Sequence, residues 1–312
     1  MARSPAVLLM GPTGSGKTDL AAAIVATLPL EIVSVDAAMV YRGMDIGTAK
    51  PSRELLARAP HHLIDLIDPA ERYSAARFLA DSGKVMTEIA ARGRSPLLVG
   101  GTMLYFRAFQ SGLATLPAAD TGIRQKLDGR ALTEGWPALH AELARLDPAA
   151  AARIRPGDRQ RIQRALEVIE LIGGPISGRQ REDLRGASSG ADLRIVLAPT
   201  DRAALYERLE SRFEDMMCRG LLDEVRALLA RGDLHAGLPS MRLIGYRQLR
   251  EHLEGGATLE SATEKAVIAT RQLARRQLTW LRAEPQAEWF DPLDPATPER
   301  VAERIERWLG GQ

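Results

Sequence analysis

The chain begins with a short apolar run, Val7 to Met10, followed by a glycine-rich stretch and then by an alanine-rich helical pattern. Four apolar residues without alternation are typical of a parallel strand that is buried on both faces. Similar runs recur at 31–35, 96–102 and 193–198, and helical patterns lie between them. We therefore predict an α/β fold, in which helices flank a parallel sheet.

Residues 116–190 differ from this pattern because they are polar, helical in spacing and interrupted by glycine and proline. No strand is predicted in this range. We therefore expect an all-helical insertion domain at 116–190 and a core formed by 1–115 plus 191–312. After residue 198 the pattern is helical to the end of the chain.

Two local patterns complete the prediction. A helix is expected from Tyr73 to Arg92, with Ser74 as its N-cap and Gly93 ending it. The segment 61–65 is expected to be a short strand that begins with two histidines. Neighbouring residues of a strand point to opposite faces, so we expect the histidines to have structural roles and no shared metal ion.

The glycine-rich stretch fits the pattern GxxxxGK[ST] and lies between a predicted strand and a predicted helix. Backbone N–H groups of such a loop surround an anion, and the start of the helix adds its positive dipole end. The lysine brings a charge to the terminal phosphate, and the final threonine offers a hydroxyl to Mg²⁺. We predict a diphosphate or triphosphate site formed by Gly11, Pro12, Thr13, Gly14, Ser15, Gly16, Lys17 and Thr18.

Two strand ends supply further candidate chemistry. Asp36 follows the second predicted strand and should face the phosphate loop, because ligands of open α/β sheets bind at the carboxyl ends of the strands. The strand at 96–102 ends on Gly100, Gly101 and Thr102, where phosphate-loop NTPases usually have an aspartate. This ending argues against a nucleotide-driven motor or switch, and we expect it to leave room for a bulky group beside the phosphates.

Composition narrows the class of protein. The chain has 312 residues, a net charge of +2 and a single cysteine, so no internal disulfide can form and a cytoplasmic location is expected. No apolar run is long enough to cross a membrane. Arginines cluster at 153–164 and again across 241–247 and 270–282, with Gln, Tyr and Trp among them. Such clusters fit either a solvated helix surface or a nucleic-acid backbone with stacked bases.

Taken together, these segments resemble the bacterial tRNA dimethylallyltransferase family along nearly the whole chain. The matching pieces are GPTGSGKT at 11–18, VSVDxxxVYRGMDIGTAKP at 33–51, HHLID at 61–65, LVGGTMLYF at 98–106, RQRIQRALE at 159–167, MRLIGYR at 241–247 and TRQLARRQLTW at 270–280. One departure is Ala37, where the family usually has serine after the acid. If that hydroxyl helps to seat the adenine, recognition here is looser.

The resemblance implies a P-loop NTPase-like fold and transfer of a dimethylallyl group from its diphosphate to N6 of the adenosine 3′ of the anticodon. Asp36 would accept the proton of the amine, Thr102 would orient the amine or a diphosphate oxygen, and Lys17 would hold the leaving group. Arg212 would be either a second diphosphate clamp or an ordinary arginine of a helix surface. Thr18 would bind Mg²⁺.

The resemblance also implies a substrate, the anticodon stem-loop of tRNA, that is bound by a monomer. Its predicted contacts are Asp36, Ala37, Ala38, Met39, Thr102, Arg124, Gln160, Arg161, Ile162, Gln163, Arg164, Arg242, Gly245, Tyr246, Arg247, Arg271 and Arg275.

Two other functions share part of this pattern. A small-molecule kinase would also combine the phosphate loop with a helical insertion, but would consume ATP. A non-catalytic RNA-binding module could use the loop to grip an RNA phosphate, and would then leave Asp36 and Thr102 without a purpose. Incubation with labelled dimethylallyl diphosphate, ATP and tRNA would distinguish the three functions, because each function predicts a different movement of the label.

Overall fold

The computed structural model describes residues 5–114, 116–177 and 192–311. Their strands form one parallel sheet in the order β3-β2-β4-β1-β5-β6. The strands are β1 (Val7–Met10), β2 (Leu30–Val35), β3 (His61–His62), β4 (Ser95–Gly100), β5 (Leu193–Leu197) and β6 (Glu288–Phe290). This arrangement confirms the predicted α/β fold with a parallel sheet.

The apolar run that opens the chain is central in this sheet. Strand β1 pairs with β4 on one side and with β5 on the other, with Leu8 opposite Leu98 and Arg194. All four residues of β1 are fully buried. Burial on both faces explains why the strand shows no alternation of apolar and polar residues.

Helices follow the strands, as expected for parallel connections. In the part of the chain around the sheet they are α1 (Lys17–Thr27), α2 (Arg53–Arg58), α3 (Ala75–Ala91) and α4 (Met103–Ser111). The Ser74 Oγ accepts the N–H of Arg77 at 3.2 Å, and Gly93 adopts a φ of 68° just beyond the helix end. Both predicted signals for the ends of α3 are therefore confirmed.

By its internal contacts the chain divides into two compact units, Met1–Arg107 with Ser189–Gln312, and Ala108–Ser188. The predicted division into a helical insertion domain at 116–190 and a core formed by the rest stays a prediction. Described helices of the second unit include α5 (Thr121–Thr133), α6 (Trp136–Leu146), α7 (Pro148–Ala151) and α8 (Arg159–Ile172). They pack around a core that includes Leu127, Leu139, Leu143, Ile162 and Leu166.

The first unit continues after β5 with α9 (Arg202–Cys218), α10 (Leu221–Leu229), a 3₁₀ turn (Ser240–Arg242), α11 (Tyr246–Leu253), α12 (Leu259–Leu281) and α13 (Thr297–Gly310). One apolar cluster contains residues of the sheet, α1 and α13. A second contains residues of the four helices α9, α10, α11 and α12 and of the loop after β2. None of the described helices is long and apolar enough to traverse a membrane.

Two expectations about short strands need correction. Strand β6 lies within the segment that was predicted as helical to the end of the chain. Its three residues are too few to show a period, and it is an edge strand held only by β5. Of the segment 61–65, only the two histidines are strand, because Leu63 and Asp65 adopt positive φ angles.

The two histidines of β3 have separate partners. His61 Nδ1 lies 2.7 Å from the Ala59 carbonyl oxygen, whereas His62 Nε2 lies 2.8 Å from Glu31. Arg92 also donates two hydrogen bonds to the Glu31 carboxylate. Each histidine therefore contacts a different protein group beside β3, which fits the structural roles expected of them.

Candidate active site

The phosphate loop lies between β1 and α1, at the carboxyl end of the central strand. Gly14 and Gly16 have φ angles of 79° and 81°, which residues with a side chain rarely adopt. A Cβ at Gly11 would lie 2.3 Å from the Leu197 carbonyl oxygen, so the loop also needs a glycine where it passes β5. No side chain caps the start of α1, which leaves its first N–H groups available to an anion.

Lys17 lies folded against the loop. Its Nζ donates hydrogen bonds to the Pro12 carbonyl oxygen at 2.6 Å and to Ser15 Oγ at 3.2 Å. Burial and the neighbouring Arg212 guanidinium lower the pKa of Lys17 to about 7, while the Asp36 carboxylate opposes this shift. A polyanion on the loop would favour the charged form of the lysine, so binding of such a ligand should take up a proton.

Asp36 is held at the end of β2 by the backbone that follows it. Its Oδ1 accepts the N–H of Ala38 at 2.7 Å and, at 3.4 Å, that of Met39. These bonds fix the carboxylate through one oxygen while the residue lines a cavity. A carboxylate oriented in this way is suited to accept a proton from a bound substrate.

Thr102 lies beside Asp36, at the end of the neighbouring strand β4. Its Oγ1 accepts the N–H of Ala37 at 3.0 Å, and its own N–H donates to the Val35 carbonyl oxygen. Because the hydroxyl oxygen accepts this bond, its hydrogen can be donated to another acceptor. Adjacent strand ends thus place the Asp36 carboxylate and the Thr102 hydroxyl next to each other, and their roles as proton acceptor and hydroxyl donor stay a prediction.

These side chains border a cavity of about 530 Å³ in the first unit. This volume is within the range of small-molecule sites. The lining is mixed, and its polar residues include Thr13, Arg212 and Gln277. The apolar lining includes Met103, Leu104, Leu209, Phe213, Met216, Leu273 and Trp280. A ligand with a charged head and a short hydrocarbon group would find partners for both of its parts in this lining.

Comparison with known proteins agrees with this geometry. The family described as IPP transferase matches residues 39–284. The tRNA dimethylallyltransferase of Bordetella petrii is 56% identical over 306 residues, which cover 97% of each chain.

The chain belongs to the IPP transferase family.

Solved structures agree with this assignment. The crystal structure of the full-length tRNA isopentenylpyrophosphate transferase from Bacillus halodurans has a TM-score of 0.73 and 36% identity, covering 99% of this chain and 98% of that one. A eukaryotic dimethylallyltransferase solved while acting on tRNA has a TM-score of 0.83, covering 99% of this chain and 80% of the other. At 23% identity, that second match shows the fold alone.

Membership of the IPP transferase family makes the chain a prenyltransferase and confirms the P-loop NTPase-like fold. It therefore decides against the two alternatives considered from sequence, the small-molecule kinase and the non-catalytic RNA-binding module. It also fits the glycines at the end of β4, where a nucleotide-hydrolysing member of the wider fold would carry an acid.

Close packing is a second reason for those glycines. A Cβ at Gly100 would lie 2.1 Å from the Val35 carbonyl oxygen, and one at Gly101 would lie 2.4 Å from Gln277 Nε2. A side chain at either position would therefore collide with the protein itself. Gly101 also lines the cavity, whereas Gly100 does not.

Arg212 projects from α9 and lines the same cavity. Burial lowers the pKa of its guanidinium, whereas Asp36 and Asp19 raise it. Lys17, Asp36 and Arg212 thus influence one another electrostatically. The two basic side chains, Lys17 and Arg212, lie close enough to the loop to bind a diphosphate together.

The predicted RNA contacts around the cavity lie where a substrate could reach them. Asp36, Ala37, Ala38 and Thr102 line the cavity, and Met39 is partly buried in the same turn. Others are exposed on the first unit, namely Arg242, Arg247 and Arg275. Arg271 is partly buried and donates to Glu210 at 2.7 Å.

The prediction that Gly245 and Tyr246 contact RNA needs correction. Tyr246 is fully buried, and its hydroxyl donates to Glu224 at 2.6 Å. Gly245 is buried as well, so neither residue presents a surface on which a base can stack. The first helical turn of α11 instead packs inward against the loop after β2.

The predicted contacts of the second unit separate into exposed and engaged side chains. Gln160 and Arg161 are exposed, but Ile162 is fully buried and cannot contact RNA through its side chain. Arg124 and Arg164 both donate to the buried Glu167 carboxylate, at 2.9 Å and 2.8 Å. Gln163 donates to Asp128 and to the Arg124 carbonyl oxygen. Gln163 and Arg164 are therefore both bonded within the second unit, and their contact with RNA stays a prediction.

Sequence reasoning missed Glu224, which shapes one wall of the site. Its carboxylate accepts the N–H groups of Asp45, Ile46 and Gly47 at 2.8–3.2 Å, in addition to the Tyr246 hydroxyl. The loop after β2 has no regular period because a carboxylate from α10 satisfies its backbone. A glutamate in an amphipathic helix carries no signal of such a role in the sequence.

The site fits a magnesium ion that is bound mainly by its substrate. Among the described residues, no group of three or more His, Cys, Asp or Glu side chains could hold a metal ion. Thr18 is partly buried at the start of α1, directly after Lys17. Mg²⁺ commonly keeps several waters and binds phosphate oxygens with only one or two protein ligands. The assignment of Thr18 as its protein ligand stays a prediction.

Proposed function

We propose that the chain transfers the dimethylallyl group of dimethylallyl diphosphate to N6 of the adenosine 3′ of the anticodon in tRNA, releasing diphosphate. The observation that carries this proposal is the pair Asp36 and Thr102, side by side at adjacent strand ends of a cavity that also opens onto the phosphate loop. The names of the relatives, which describe transfer to tRNA, support the same substrate.

The diphosphate would bind to the backbone N–H groups at the start of α1, with Lys17 and Arg212 supplying positive charge. The backbone N–H of Thr13 already donates to Gln277 Oε1 at 2.9 Å. Thr13 would therefore bind the diphosphate through its side-chain hydroxyl. Mg²⁺, held by Thr18 and the diphosphate, would neutralise charge on the leaving group. These groups stabilise the negative charge that develops when the carbon–oxygen bond breaks.

The adenine amine would form a bond to the same carbon as the bond to the diphosphate oxygen breaks. Its electron pair enters the new carbon–nitrogen bond, and the pair of the broken bond leaves with the diphosphate. Asp36 would accept the surplus proton of N6, and the Thr102 hydroxyl would hold the base in place. The base must leave its stack to reach this point, at a cost of a few kcal/mol.

The exposed arginines of both units would bind the anticodon stem-loop through its phosphates. The candidates are Gln160 and Arg161 on the second unit, and Arg242, Arg247 and Arg275 on the first. Three further arginines would bind RNA phosphates through the N–H groups that do not donate to a carboxylate, namely Arg124, Arg164 and Arg271. We further propose that the enzyme acts as a monomer in the cytoplasm, the compartment of its substrate.

One assay tests this proposal directly. The purified protein is incubated with dimethylallyl diphosphate labelled in the prenyl group, with γ-labelled ATP and with unmodified tRNA. The prenyl label should move to the adenosine 3′ of the anticodon, and the ATP label should stay in place. Movement of the ATP label with no prenylated adenosine would refute the proposal.

A further inference from the structure

Gln277, on α12, joins the phosphate loop to the end of β4. Its Oε1 accepts the N–H of Thr13 at 2.9 Å, and its Nε2 donates to the Gly101 carbonyl oxygen at 2.9 Å. The residue is 9% exposed, so water competes little for either bond. One side chain thus connects two segments that are distant from it in sequence.

The position of Gln277 explains the glycine at the end of β4. A Cβ at Gly101 would lie 2.4 Å from Gln277 Nε2 and 3.2 Å from the Gly11 carbonyl oxygen. The strand end is thus fitted between the phosphate loop and the amide of α12. Because the amide is neutral, it ties these segments together without adding negative charge beside a diphosphate.

Gln277 also lies next to the reacting groups. Thr102 follows Gly101 directly, and its hydroxyl accepts the N–H of the residue after Asp36. Displacement of the Gly101 peptide would therefore move Thr102 against Asp36. Displacement of Thr13 would shift the loop that holds the leaving group.

On the basis of the proposed function, we propose that Gln277 is a positioning residue for prenyl transfer, which fixes the distance between the phosphate loop and the Asp36–Thr102 pair. It touches neither reacting atom in this scheme and acts through Thr13 and Gly101. A misplacement of about 1 Å in such a site can cost about 100-fold in rate.

The first test is Gln277→Met, which keeps the length of the side chain and removes both hydrogen bonds. We expect kcat to fall about 10- to 100-fold and the affinity for inorganic pyrophosphate to weaken, with KM for tRNA unchanged. The control is Glu264→Met, at an exposed position of the same helix outside the 270–282 cluster, which should leave all three quantities unchanged. Wild-type kcat in Gln277→Met would overturn the inference.

The second test is Gln277→Glu, followed against pH. A protonated carboxyl group offers the same donor and acceptor as the amide, whereas a carboxylate cannot donate to the Gly101 carbonyl oxygen. The ratio of kcat between this variant and the wild type should therefore rise as pH is lowered from about 8.5 to about 6, because burial favours the protonated form. A ratio that does not change with pH would overturn the inference.

The two tests remain informative if one variant is poorly folded. Circular dichroism and thermal melting show whether each variant is folded. If Gln277→Met is unfolded, the pH series of the folded Gln277→Glu variant decides the inference. Pyrophosphate binding, measured by calorimetry, reports on the loop without prenyl transfer. Failure of the wild type to prenylate tRNA would count against the proposed function, whereas pyrophosphate binding that is equal in wild type and Gln277→Met would count against the inference.

Discussion

The strand-end site and the helical insertion hold their polar side chains in different ways. Asp36 and Thr102 are fixed by neighbouring backbone N–H groups, at 2.7 Å and 3.0 Å, so both keep a polar function that the fold does not consume. In the insertion, Arg124 and Arg164 are held by the buried carboxylate of Glu167. A side chain that is held by backbone N–H groups keeps its charge or its hydroxyl hydrogen available for a substrate. A side chain that is paired with an opposite charge contributes that charge to the stability of the fold.

The largest effect should follow from Asp36→Asn. Asparagine can still accept the N–H of Ala38, so the turn is preserved, but it cannot take a proton from an amine. We expect kcat to fall about 10²- to 10⁴-fold, the usual contribution of a general base, with tRNA affinity little changed. Single-turnover prenylation and filter binding measure the two quantities, and wild-type turnover would remove Asp36 from the mechanism.

Lys17→Met should have the next largest effect. It removes the one lysine of the phosphate loop, and hydrogen bonds to charged groups contribute about 1.5–3 kcal/mol. We expect affinity for dimethylallyl diphosphate to fall about 10- to 100-fold near neutral pH. Since burial and Arg212 lower the pKa of Lys17 to about 7, the wild type should lose its advantage over the variant as pH rises above that value. Calorimetric titrations at several pH values would show whether the ratio of the two affinities narrows.

The same substitution should stabilise the protein without ligand. The pKa of Lys17 lies below the value of 10.5 for a free lysine, so burying its charged form costs free energy at every pH below 10.5. The cost is full below about pH 7 and declines as pH rises from there. Lys17→Met should therefore raise the melting temperature more at about pH 6 than at about pH 9. Equal changes in melting temperature at both pH values would contradict this assignment.

For the insertion, Glu167→Gln tests the opposite side of the comparison. Burial raises the pKa of Glu167, but hydrogen bonds from Arg124 and Arg164 outweigh it and hold the value below normal. The ionised carboxylate therefore stabilises the fold at neutral pH, and this contribution is lost as pH falls through its lowered pKa. We expect a loss of about 1–3 kcal/mol in the free energy of unfolding at pH 7, measured with urea. A loss in catalysis with unchanged stability would show that Glu167 serves the substrate instead.

The sequence was sufficient for the parts of the site whose chemistry is local. The phosphate loop is recognisable from 11–18 because its glycines, lysine and threonine occur at fixed offsets. Asp36 and Thr102 could be inferred because parallel strands end at one edge of a sheet. In each case the position followed from the strand that precedes it.

The remaining parts could not be predicted because their partners are distant in the chain. Gln277 is separated by 264 residues from Thr13, and Glu167 by 43 residues from Arg124. The helical pattern also does not show how completely the surroundings bury Tyr246. Charge clusters in the sequence therefore do not show which arginines the fold pairs with carboxylates, and side chains that join distant segments went unnoticed.

The smallest effect should distinguish two arginines of the same helix. Arg159 is exposed at the start of α8, whereas Arg164 donates to Glu167 and to the Pro117 carbonyl oxygen. If Arg159 contacts a phosphate, Arg159→Ala should lower the slope of log K against log salt for tRNA binding by about one, with stability unchanged. Arg164→Ala should lower the free energy of unfolding instead, because it leaves part of a buried carboxylate unpaired. Filter binding across salt concentrations and urea unfolding separate these outcomes, and identical behaviour of the two variants would mean that the ion pairs of the insertion do not decide which arginines bind RNA.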